Sequence, residues 1–119
     1  MTPEAECQLS EEVARKLRMR FVPPTPGYTE PGWFFANGAE LDWYGGESDP
    51  PSFREPDIVC AMIEWLIGRG KCFGFIPRDE RCECEIESDP RSPYSDGDVS
   101  CSGNTWQEAL ARAFLAAQE

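Results

Sequence analysis

Residues 81–87 read Arg-Cys-Glu-Cys-Glu-Ile-Glu, an unbroken two-residue alternation. Successive side chains on a strand point to opposite faces. Cys82, Cys84 and Ile86 are therefore predicted on a core face, and Glu83, Glu85 and Glu87 on a solvent face. Asp89 continues the acidic line, and Asp79 and Glu80 lie just ahead of it. Such carboxylates can work as an acid–base pair or attract a basic surface. Glycoside hydrolysis needs two carboxyls across a cleft, one with a raised pKa. Exposed clusters such as Glu83, Glu85, Asp96 and Asp98 lack the desolvation that raises it. The chain has no histidine, which removes the commonest general base and metal ligand. A non-enzymatic protein without a cofactor is expected.

Six cysteines are an even number, yet their spacing argues against a disulfide framework. Cys82 and Cys84 point the same way from one strand, a poor geometry for bonding each other. Cys60 lies in an apolar helical stretch, where a thiol acts as a small hydrophobe. Reduced, mostly buried thiols are expected. There is no Cys-x2-Cys pair, so no zinc site is expected either. Asp96-Gly97-Asp98 lacks the twelve-residue frame of an EF-hand and reads as a turn.

The chain carries 22 acidic and 11 basic residues in 119, a net charge of −11. Sixteen acidic and six basic side chains lie between residues 21 and 104, so −10 of that charge arises there. This balance repels nucleic acid and favours basic protein surfaces. Side chains two apart on a strand stand about 6.6 Å apart, the scale of successive phosphates along a wound nucleic-acid strand. No apolar run reaches the roughly 20 residues a membrane-spanning helix needs. The acidic, polar start Met1–Glu6 is unlike a signal or transit peptide, so a cytoplasmic location is expected.

These residues need elements to hold them. One α+β domain over 1–119 is expected, with three helices packed on a small, mainly antiparallel sheet. The first helix is predicted from Ser10, as cap, to Met19, with Leu9, Val13 and Leu17 as its stripe. Pro23 to Gly27 breaks it. Trp33–Phe35 and Leu41–Tyr44 read as strands around an Asn37-Gly38 turn. A second helix runs from Arg54–Pro56 to Ile67, with Ile58, Val59, Met62, Ile63 and Leu66 inward, and reads as the most buried of the three. Cys72–Ile76, apolar throughout, reads as a central strand. Residues 98–102 add a short strand. A final helix from Trp106 to about Gln118 opens on a capping box of Thr105 and Glu108, with Trp106, Leu110, Ala113, Phe114 and Ala117 inward.

The Trp33-Phe34-Phe35…Asn37-Gly38 segment, Ser52-Phe53 opening a helix, the strand from Gly70 to Phe75, and the run Gly103-Asn104-Thr105-Trp106-Gln107-Glu108-Ala109-Leu110-Ala111-Arg112-Ala113-Phe114-Leu115 resemble the phage ABA-sandwich family of small bacteriophage proteins. The resemblance implies a fold and a phage or prophage origin. It implies no catalytic site, because each shared motif is a cap, a turn or a packing face. The acidity and cysteine content depart from the ordinary family pattern.

Together these readings lead to a specific expectation: an acidic binding protein that occupies a basic nucleic-acid site on a host defence complex, in the manner of an anti-CRISPR protein. Glu83, Glu85, Glu87, Asp89, Asp79 and Glu80 are its expected contact residues. The alternative is a phage accessory protein that binds a protein partner through aromatic loops bearing Tyr28, Tyr94 and Trp43.

Overall fold

The computed structural model describes residues 2–22, 32–41, 50–88 and 99–117. Helix α1 spans Pro3–Lys16, seven residues ahead of the expected start. Pro3 occupies the first turn, and the Thr2 hydroxyl accepts from the Ala5 N–H at 3.2 Å. The residues between Thr2 and Ser10 lack an apolar stripe, so periodicity alone misses this turn. Ser10 is not a cap: it is buried in the helix, and its Oγ accepts from the Phe53 N–H at 3.1 Å. The helix closes with the Arg18 N–H on the Arg15 carbonyl and the Met19 N–H on the Ala14 carbonyl. This Schellman closure places Arg18 at φ 59°, a left-handed position that usually goes to glycine.

Strands β1 (Arg20–Val22), β2 (Gly32–Phe34) and β3 (Glu40–Leu41) form one antiparallel sheet in that order. The Asn37-Gly38 turn joins β2 to β3, with Gly38 at φ 89° and Asn37 Oδ1 accepting from the Ala39 N–H. The expected extension of this strand through Tyr44 lies outside the described residues.

Helix α2 spans Pro56–Gly68, followed by β4 (Lys71–Pro77), β5 (Cys82–Ser88), β6 (Val99–Gly103) and helix α3 (Trp106–Ala116). The second sheet has the order β4-β5-β6. The molecule is thus α+β, with its strands divided between two antiparallel sheets rather than gathered in one. The apolar run of β4 does not mark a central strand: β5, with its alternating pattern, takes the centre and β4 an edge. A run without charge reads as doubly buried, yet Cys72 and Gly74 face outward and are exposed.

Helix α3 lies over β5 and β6, α2 reaches β4, and α1 packs on α3. Phe53, Ile58, Met62, Leu66, Cys84, Ile86, Leu110 and Phe114 fill the space between them. The most buried helix is α3 rather than α2, because its small residues Ala109, Ala111 and Ala113 allow close approach to β6. Gly103 permits that approach: a Cβ there would lie 2.7 Å from the Ala109 nitrogen. Trp106 is 43% exposed, so it lies outside the core face expected for it. Arg54 joins the three helices, its Nε on Glu6 at 2.8 Å and its Nη1 on the Thr105 hydroxyl at 2.9 Å.

Candidate acidic interaction face

Strand β5 pairs in unbroken register with both neighbours, from Pro77↔Cys82 to Lys71↔Ser88 on one side and from Cys82↔Gly103 to Ile86↔Val99 on the other. This ladder fixes which way its side chains turn. Cys84 and Ile86 are fully buried under the helices. Glu83, Glu85 and Glu87 therefore stand on the opposite face, with Glu87 exposed and the other two half-buried.

Their neighbours across the sheet carry no charge. Glu85 lies between Gly74 and Ser100, Glu83 between Ile76 and Ser102, and Glu87 beside Cys72. Ser100 and Ser102 are exposed. The missing side chain at Gly74 leaves a shallow hollow of about 190 Å³ lined by Cys72, Phe73, Gly74, Glu85 and Glu87. Arg78, in the turn after β4, reaches Glu83 at 3.5 Å and partly offsets its charge. Among the described residues, neither Glu85 nor Glu87 has an ion pair. Asp79 and Glu80 are exposed in the β4–β5 turn, at the Glu83 end of the row. Asp89, Asp96, Asp98, Tyr28, Tyr94 and Trp43 lie outside the described residues.

Two other acidic or thiol groups are structural. Glu108 is buried at the start of α3, where Oε2 accepts from the Asn104 N–H at 2.6 Å and Oε1 meets Arg112 at 3.2 Å. Burial pushes its carboxyl up, but the Asn104 N–H and the Arg112 guanidinium outweigh that and hold it below its ordinary value. The capping box is thus present in modified form, reaching Asn104 rather than the Thr105 nitrogen, while Thr105 Oγ1 accepts from the Glu108 N–H at 3.3 Å. Behind the acidic face, Cys84 lies across from Cys101. Burial, reinforced by Cys82, Cys101 and Glu85, pushes the Cys84 thiol up to about 12.

The expectation of mostly buried thiols holds for Cys84 and fails for Cys7, Cys60 and Cys72, which are exposed. Cys60 occupies the outer side of α2, where it helps to line an open cleft with Phe35, Glu40, Asp57, Glu64 and Trp65. A wide apolar stripe in sequence conceals which of its members turns outward. Among the described residues, no group of three or more thiol and carboxylate side chains is arranged to hold a metal ion.

No family model, curated protein or solved structure matches the chain. No helix among the described residues is long and apolar enough to cross a membrane.

Proposed function

We propose that this is a non-enzymatic binding protein of phage origin whose acidic sheet face occupies a basic nucleic-acid site on a host defence complex, as an anti-CRISPR inhibitor would. The observation that supports this reading is the row Glu83, Glu85 and Glu87 on the face of β5 that turns away from the helices. Carboxylates about 6.6 Å apart along a strand offer a basic groove charges at nearly the spacing of phosphates. The sheet fixes their backbone before binding, so the order lost on association is confined to the side chains. A net charge of −11 adds long-range attraction toward a basic partner and speeds encounter. The phage origin and the host target draw on the motif resemblance.

The test is affinity capture from bacterial lysate containing a CRISPR effector complex, with the native chain beside an E83K/E85K/E87K variant. The native chain is expected to retain the effector at low salt, release it at high salt, and prevent it from binding target DNA. The variant should fold, by circular dichroism, and retain nothing. Equal capture by both chains, or capture that survives high salt, would overturn the assignment.

A further inference from the structure

The five residues Cys72–Ile76 carry no charge, and they occupy an edge strand. Among the described residues, β4 pairs with β5 on one side and with no strand on the other. Natural edge strands are protected by charges, prolines within the strand, or bulges. In β4 the proline stands only at the final position, and the continuous register with β5 contains no bulge. The edge is also apolar on its helix face. Phe75 is 36% exposed and stacks edge-on against Trp106 at 5.7 Å between ring centroids. Phe73 continues this aromatic strip, 6.0 Å from Phe75. Phe73 is half-buried against the core where α2 reaches β4, so Phe75 and its Trp106 neighbour from α3 form the exposed end of the strip.

We infer that β4 pairs antiparallel with β4 of a second copy about a two-fold axis at Gly74, joining two three-stranded sheets into one of six. The register is self-consistent. Phe73 of one copy faces Phe75 of the other, Cys72 faces Ile76, and Lys71 faces Pro77. Residues opposite each other then share a face on both strands, as antiparallel pairing requires, and a slip of one residue would violate this. Aromatic cross-strand pairs are among the most favourable in such sheets.

Charge complementarity selects a second copy as the occupant. The antiparallel arrangement brings the basic start of β4 to the far turn of the other copy, with Lys71 and with Arg69, whose guanidinium stacks on its own Trp65 ring at 3.7 Å. That turn presents Asp79 and Glu80, which have no ion pair among the described residues. Of the two cations in the turn, Arg78 is directed to Glu83, and Arg81 remains. The acidic rows on the two β5 strands would lie three strand spacings apart, about 14 Å. This exceeds the roughly 8 Å screening length at physiological ionic strength, so they do not prevent association.

The test is analytical ultracentrifugation of the full chain at physiological salt over a broad micromolar range. The expected species is a dimer of the 13.4 kDa chain. Phe75→Lys removes two symmetry-related aromatic pairs and should weaken self-association by roughly twofold to thirtyfold. Arg69→Glu with Lys71→Glu should also weaken it, and adding Asp79→Lys with Glu80→Lys should restore it. This restoration separates a real interface from a folding defect. The E83K/E85K/E87K variant should remain dimeric, so a failure of the acidic-face assignment would not be mistaken for a failure here. A monomer at every concentration, or a dimer indifferent to both Phe75→Lys and the charge exchange, would overturn the inference.

Discussion

Glu85 of β5 stands directly opposite Gly74 of β4, and a Cβ placed at Gly74 would meet no atom within 4 Å. The carboxylate therefore has open space on one side, and charge can be introduced beside it without disturbing the core. Gly74→Lys should fold normally and weaken binding to a basic partner by about fivefold, the upper range for an exposed charge pair. Gly74→Ser should leave affinity unchanged. Titration of the captured partner with the two variants checks this, and equal effects would show that size rather than charge matters at the site.

The thiols should divide by environment. Cys7, Cys60 and Cys72 are exposed and should be alkylated within the folded protein. Cys84, fully buried and pushed up to about 12, should stay unmodified until the chain unfolds. Mass spectrometry of partly labelled protein, native and in denaturant, measures this order. Early labelling of Cys84 would place it outside the core.

Lys16 ties the end of α1 to the end of α3. Its Nζ donates to the carbonyls of Phe114, Leu115 and Ala117, the last at 2.6 Å, and lies 4.6 Å from the centroid of the Trp65 ring. These carbonyls belong to the unsatisfied end of a helix, where a cation is favoured. Lys16→Met keeps the apolar stem and removes the donor. It should cost roughly 1.5–3 kcal/mol in chemical denaturation, the range for hydrogen bonds to a charged group.

Stability should fall in acid partly through Glu108. Its carboxyl sits below the ordinary value in the folded chain. The contribution is thus complete above the unfolded-state value, near 4.3, and is lost as pH falls through the still lower folded-state value. Glu108→Gln should lower stability at neutral pH and flatten its decline as pH falls below about 5. Thermal unfolding across that range measures both effects. A parallel decline in both proteins would remove Glu108 from the account.

The parts of the fold legible in sequence were those where local chemistry decides. Strand β5 declares itself by its alternation, α2 by Pro56 in its first turn, and α3 by Thr105 and Glu108. The orientation of Glu83, Glu85 and Glu87 follows from the same alternation. What escaped depends on distant partners. The position of β4 at an edge is set by which strands pair with it, and its own composition suggests the opposite. Trp106 lies outside because it stacks on Phe75 of the edge strand rather than in the core, and Cys60 because α2 turns that side away from the core. The start of α1 is marked by capping chemistry at Thr2 and Pro3, in a stretch without hydrophobic periodicity.

The central claim is that the acidic face and nucleic acid compete for one basic surface. The most direct measurement is the fluorescence anisotropy of labelled target DNA bound to the captured effector complex, as the native chain is titrated in. The account predicts displacement of DNA to completion, weakening steeply as salt is raised and absent with E83K/E85K/E87K. A ternary complex, with the chain bound and the anisotropy of the DNA unchanged, would contradict it.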